Sequence, residues 1–271
     1  MNIISQIEDH RAARFRISNS SSNGSKKVSP SSLMPPPVSF FLPSRISIGH
    51  DTLSDSHPLL ITSDTAAELL TFAITYTQHK SEDGRYILIT SQDKATFTSS
   101  LSSSILTSSS SPLTATTAII ASNRIRLYHV ETLAHLRVLL SNLQHSTISF
   151  LGVDSAISLH EPASEMSAQG ISRTIAAMVD STSPQGVLVL REPREMMERT
   201  VPILNAGVSG QFSLSSTSMT RIVGRWTRGF WSQIVNEEGE CRAEWRCRGE
   251  RYQIAWGLCN GEIDDVQVSS L

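Results

Sequence analysis

Lysine is scarce in this 271-residue chain: there are four, at positions 26, 27, 80 and 94, and none lies in a turn from an apolar strand-like run into a helix-like one. That scarcity removes the commonest way of holding a triphosphate. A P-loop needs GxxxxGK[ST], with glycines that let backbone N–H groups close around the phosphates and a lysine set against their charge. Where such a loop would stand, after the first apolar run, the chain offers Ile61-Thr62-Ser63-Asp64-Thr65. This stretch has no glycine and no lysine, and it carries an acid, Asp64, where negative charge is least welcome. Charge of either sign is thin, at 18% of residues with a formal net of −2, so any nucleic-acid contact must come from a local patch rather than a general basic coat.

Cysteine is equally sparse. Cys241, Cys247 and Cys259 are odd in number and no apolar leader run follows Met1, which argues against a secreted disulfide scaffold. Their spacings of six and twelve fit no zinc knuckle, and the nearest upstream histidine is His160. No uninterrupted apolar run approaches the roughly 20 residues of a membrane span. The expectation is a soluble intracellular protein with no metal, no cofactor and no membrane association.

What the chain does contain is enough apolar residue, 39%, for one good core. Residues 1–57 read as a flexible N-terminal region. Ser18 to Ser32, with Lys26-Lys27, and the run Pro35-Pro36-Pro37 cannot repay the entropy of ordering themselves. Within that region Val38, Phe40, Phe41 and Leu42 form an apolar cluster suited to meeting a partner. The folded core is expected over residues 58–264, followed by a polar, fraying tail at 265–271.

Inside the core, buried-type strands alternate with amphipathic helices. Leu59-Leu60-Ile61 suits a strand, and Thr65 with Glu68 makes a capping box for a helix with Leu69, Phe72, Ala73 and Tyr76 on one face. Tyr86 to Ile89 is a second strand, Phe97 to Leu106 a weak helix, and Thr107 to Ser111 a loop. Ile119-Ile120 and Ile125 to Tyr128 supply further β-type sequence. Glu131 opens a helix whose Leu133, Leu136, Leu140 and Leu143 share one side. Ile148 to Val153 is the central strand, a helix around Ile171, Ile175 and Met178 follows, and Val187 to Leu190 completes a parallel set. Strands apolar on both faces and separated by helices imply a sheet covered on either side. From Ser213 onward, β-type segments separated by Asn236 to Gly239 and Arg248-Gly249-Glu250 read as antiparallel hairpins extending that sheet.

This order of elements, with Ile148-Ser149-Phe150-Leu151-Gly152-Val153-Asp154-Ser155 at its centre and Val187 to Leu190 after it, resembles the RecA-like recombinase core. It is most similar to divergent eukaryotic recombinase paralogs, of the Shu-complex type, that lack the phosphate motif. The resemblance spans residues 58–264 and implies a RecA-like three-layer α/β core with a mostly parallel sheet and C-terminal antiparallel hairpins. It also implies that Asp154 and Ser155 are the vestige of a metal-facing strand end, and that the loops Ala156 to Ser167 and Arg191 to Gly210 face DNA. Elongator's small RecA-like subunits are the rival match, on His57-Pro58-Leu59-Leu60-Ile61-Thr62.

The resemblance implies a non-catalytic nuclear subunit of a DNA repair complex. It would bind single-stranded or branched DNA beside another RecA-like paralog and assist a recombinase filament; the alternative is a structural subunit of a tRNA-modifying assembly in the cytoplasm. The residues themselves offer one positive feature. Between positions 221 and 251 stand Arg221, Arg225, Arg228, Arg242, Arg246, Arg248 and Arg251, with Trp226, Trp231 and Trp245 interleaved. Arginine grips phosphates with a two-pronged fork and tryptophan stacks on unpaired bases, although both also serve protein interfaces. Arg191 and Arg194, at a strand's carboxyl end, form a second candidate set, against the plainer reading of a short solvated helix. Gly152 marks either a close approach or simple tolerance of a small residue, and His160 reads as an exposed loop histidine.

Overall fold

The structure, a computed structural model, describes residues 57–63, 66–79, 84–93, 95–97, 123–143, 148–204, 214–235, 241–247, 250–259 and 262–270. The N-terminal region with Val38, Phe40, Phe41 and Leu42 lies outside the described residues. So do Asp64, Thr65, Arg248, Ile119, Ile120 and the segment expected as a loop over Thr107 to Ser111; of the weak helix at Phe97 to Leu106, only Phe97 is inside them. Among the described residues no helix is long and apolar enough to cross a membrane.

The order of elements is β1 (Leu59–Thr62), α1 (Ala67–His79), β2 (Arg85–Thr90), β3 (Ile125–His129), α2 (Leu133–Leu143), β4 (Ile148–Asp154), a 3-10 turn (Ile157–His160), α3 (Ala168–Ser181) and β5 (Val187–Glu192). Then come α4 (Arg194–Glu198), β6 (Thr200–Leu204), β7 (Leu214–Ser218), α5 (Met219–Val223), β8 (Gly229–Val235), β9 (Cys241–Cys247), β10 (Glu250–Cys259) and β11 (Glu262–Ser270). The main sheet runs β11-β10-β9-β8-β1-β5-β4-β2-β3, and β6-β7 form a separate antiparallel hairpin. Its six strands from β8 to β3 are parallel, and β9, β10 and β11 continue it by antiparallel pairing.

The sheet is sandwiched because its parallel strands are apolar on both faces. Leu59, Ile61, Tyr86, Leu88, Phe150, Val187, Val189 and Trp231 pack with Leu69, Phe72, Ala73 and Tyr76 of α1. Their alternates Leu60, Ile87, Ile89, Leu151, Val153, Leu188 and Leu190 pack with α2 and α3 through Leu136, Leu140, Ile171, Ile175 and Met178. The period of two along each strand therefore feeds two cores, the arrangement of a three-layer α/β domain. Helix α3 starts where Ser167 accepts a hydrogen bond from the Gly170 N–H, and it presents its apolar stripe at helical spacing.

Two of the expectations for the C-terminal part are corrected, and the β8–β9 hairpin is as expected. The segment expected as one strand from Ser213 to Val223 is β7 followed by α5. The switch occurs at Ser218, whose side chain caps the helix by accepting from the Arg221 N–H, while Met219, Ile222 and Val223 bury at helical spacing. Strand β8 forms the expected antiparallel hairpin with β9 and joins the main sheet through its other edge, which is parallel to β1. The polar tail expected at 265–271 is mostly sheet: Tyr252 to Cys259 pair with Glu262 to Ser270, because backbone pairing to a neighbouring edge needs no apolar side chain.

Two glycines are fixed by their surroundings. A Cβ on Gly152 would meet Leu88 Cδ1 at 2.7 Å and Leu69 Cδ1 at 3.3 Å, so the close approach read at this position is made by side chains of β2 and α1 rather than by a second backbone. Gly186 closes the α3–β5 turn, and a Cβ there would lie 2.4 Å from the Ile148 carbonyl oxygen, which cannot swing aside. Gly186→Ala is expected to lower stability by roughly 1–3 kcal/mol in urea unfolding; an unchanged midpoint would show that the turn relaxes freely.

Candidate functional site

At the carboxyl ends of β1, β4 and β5 the side chains converge on one buried cation. Asp154 and Arg191 are directly paired residues on adjacent strands, and Ile61 of β1 pairs with Arg191 on its other side. Alternation puts Asp154 and Arg191 on the face covered by α1, beside the turn that leads into that helix. Arg191 is 1% exposed and Asp154 1%. The guanidinium Nη1 donates to Asp154 Oδ1 at 3.0 Å and to Ser155 Oγ at 3.0 Å, Nε donates to Ser63 Oγ at 3.3 Å, and Nη2 donates to the Ser63 carbonyl. The carboxylate is filled from two further directions, by Ser155 Oγ at 3.2 Å and by Thr90 Oγ1 on Oδ2 at 2.8 Å. Ser155 itself takes a left-handed backbone, φ 55°, to turn out of β4 while its hydroxyl serves both ions.

This lock occupies the place where an open α/β sheet seats its ligand, at the strand ends beside a helix start. The missing lysine thus has a counterpart, but an internal one: the guanidinium points at Asp154 and at the Ser63 carbonyl, leaving no charge turned outward. Arg191 is accordingly removed from the DNA-facing set, since a side chain this buried and this fully bonded has no fork left for a phosphate. Asp154 and Ser155 are structural partners of that arginine.

On the opposite face of β5 the next residue, Glu192, is also buried, at 1% exposure. Its Oε1 accepts from the Ile157 N–H at 2.9 Å, which anchors the 3-10 turn. Burial, the largest cause, raises its pKa to about 8, and the nearby Asp154 charge adds to the rise while Arg191 opposes it. His160, expected on an exposed loop, is fully buried with Nδ1 3.3 Å from the Glu165 carbonyl. Burial holds its pKa below the ordinary value.

The second convergence is at the surface. Ala168, Gln169 and Ser172 of α3, Ile203, Ser216 and Thr217 of the β6–β7 hairpin, and Arg221, Ile222 and Arg225 of the α5 segment wall a cleft of about 340 Å³, in the range of small-ligand pockets. Gln169 ties the hairpin to α3 by donating to the Leu204 carbonyl at 2.9 Å and accepting from the Leu204 N–H at 3.0 Å. The exposed Arg221 of α5 and Arg225, in the turn just after the helix ends, both face this cleft. No carboxylate is among the lining residues.

The remaining candidates are dispersed. Arg194 is half-buried on α4, a helix whose Met196 and Met197 are buried. Arg228 and Arg242 are exposed. Arg246 is engaged, with Nε 2.6 Å from Glu244 Oε1 and its guanidinium over the Phe230 ring. Trp231 is wholly buried and Trp226 half-buried against the α3-side core, so neither offers a free stacking face. Among the described residues no group of three His, Cys, Asp or Glu side chains could hold a metal ion.

A family model described as SPAC22G7.03-like matches residues 55–271, which include every described residue. The chain belongs to the SPAC22G7.03-like family. No curated protein matches it. Within this SPAC22G7.03-like chain the fold is α/β with a largely parallel sheet, and the Arg191 lock and the Arg221/Arg225 cleft are two polar features among its described residues. Sequence alone places Arg191 at a strand's carboxyl end, and only the β4–β5 register sets it on Asp154.

Proposed function

We propose that this chain is a non-catalytic nuclear subunit of a DNA repair complex, binding single-stranded or branched DNA beside a RecA-like paralog and assisting a recombinase filament. The observation that carries the reading is the acid-free cleft with Arg221 and Arg225 on one wall. Two guanidinium groups, one on α5 and one in the turn after it, suit neighbouring backbone phosphates, and the polar Ser172, Ser216 and Thr217 offer hydroxyls beside them. Arg228, three residues after Arg225, is exposed as well. The Arg191 lock supports the non-catalytic part, since this buried cation at the strand ends is already neutralised by Asp154.

With a net charge of −2 the lone chain binds weakly, through phosphate contacts that fade as salt rises and with little sequence preference. In fluorescence anisotropy with labelled single-stranded DNA, Arg221→Ala with Arg225→Ala is expected to weaken binding roughly ten-fold and to flatten the salt slope by about one unit per arginine. Arg199→Ala is the control, because that side chain is already paired with Glu161 at 3.1 Å. Equal affinity and slope in the double variant would end the assignment of this surface, and co-purification with tRNA-modifying subunits in place of recombination proteins would replace the reading with the alternative one.

A further inference from the structure

Beneath the 3-10 turn, Ala156, Ile157, His160, Ile171, Thr174, Ile175, Met178, Leu190 and Glu192 line a cavity of about 10 Å³. Two buried polar atoms that line it have no hydrogen-bond partner: Glu192 Oε2 and His160 Nε2. Buried polar atoms are seldom left unmatched, and a water needs roughly 10–15 Å³ of room with two to four polar partners. We propose that this cavity is a built site for a single water molecule held between the Glu192 carboxyl group and the His160 ring.

The proton positions follow from the neighbours. The Glu165 carbonyl beside His160 Nδ1 can only accept, so Nδ1 carries the ring proton and Nε2 is left as an acceptor. Glu192 Oε1 accepts from the Ile157 N–H, so the proton of the neutral acid sits on Oε2 and is free to donate. One water satisfies both ends: it accepts from Oε2–H and donates to Nε2. Thr174 also lines the cavity, and because its hydroxyl proton goes to the Gly170 carbonyl at 3.3 Å, its oxygen is an acceptor for the second hydrogen. The charged groups facing this chain are Asp154 and Arg191 on the Glu192 side, and Arg137 and Glu165 on the His160 side, the latter two joined to each other at the surface.

The site therefore joins β5, the 3-10 turn and α3 through neutral groups, and it lies outside the Arg221/Arg225 cleft. A high-resolution crystal structure of the full chain near pH 7 is expected to show one water within about 2.7–3.2 Å of both Glu192 Oε2 and His160 Nε2. Glu192→Gln should keep it, because the amide still donates, whereas Glu192→Leu should lose it with a melting temperature lower by on the order of 5 °C. Nitrogen NMR of the histidine rings in the wild-type chain gives a readout independent of whether the leucine variant folds: His160 should be the neutral Nδ1–H tautomer. A dry cavity, a direct Glu192–His160 hydrogen bond, or the Nε2–H tautomer would each overturn the proposal.

Discussion

Arg191→Met is expected to destabilise the protein by about 3–5 kcal/mol in urea unfolding, the largest effect of any single substitution at the strand ends. The reason is the burial of its partner: Asp154 is 1% exposed, and without the guanidinium its charge would face a wall of carbon and hydroxyl. Ser155 and Thr90 would still donate to the carboxylate, at 3.2 and 2.8 Å, but two hydroxyls do not replace a cation in a site that excludes water. Arg191→Lys should recover little, since a single ammonium cannot span Asp154, Ser155 and both the hydroxyl and carbonyl of Ser63. The double variant Asp154→Leu with Arg191→Met removes both charges at once and should sit much closer to wild type than the single arginine variant, which a double-mutant cycle measures directly. A single variant within about 1 kcal/mol of wild type would mean that the pair is solvated and the lock is no lock.

Stability is also expected to fall with rising pH through neutrality, against the usual direction for a carboxyl group. Glu192 is raised from an ordinary value of 4.5 to about 8 by burial, so the folded state keeps a proton that the unfolded chain has released. Its contribution is full below the unfolded value and is lost as pH climbs through the folded one, at about 1.4 kcal/mol per pH unit in between. Below pH 6.5 the trend is masked. His57 and His160, both lowered by burial, stay neutral in the fold and gain protons on unfolding, so they make stability rise with pH there. Their opposing effect fades over the unit above 6.5, as the unfolded rings lose their protons. Between pH 6.5 and 8 roughly 1 kcal/mol should disappear from the unfolding free energy, and Glu192→Gln should abolish that decline. A parallel decline in wild type and variant would place the titrating group elsewhere.

Much of the architecture was legible because it rests on local signals. The runs Leu59 to Thr62, Tyr86 to Ile89, Ile148 to Val153 and Val187 to Leu190 are apolar on both faces, and that pattern has few outcomes besides an internal parallel sheet. The leucines at 133, 136, 140 and 143 announced α2, all four being buried. The candidate site was less legible. Arg191 and Asp154 are 37 positions apart, and nothing in either neighbourhood says that β4 and β5 lie side by side in a register that makes the two residues partners. Arg221 and Arg225 were visible as an arginine pair, but read on a strand. Their cleft exists only because β7 ends at Ser218 and α5 turns the pair toward α3.

The amino-acid order by itself determined that the protein would be a helix-covered parallel sheet and that its first strand-to-helix turn has neither the glycines nor the lysine to cradle a phosphate. Both follow from side-chain chemistry within a few residues. Only the tertiary structure decided which charges are spent and which are left. Strand order carries Arg191 inward onto Asp154, the β6–β7 hairpin and α5 carry Arg221 and Arg225 outward, and β5 sets Glu192 under the His160 turn. Burial and pairing are properties of neighbours in space, and the same arginine is a structural counter-ion or a ligand-binding group according to what the fold places beside it.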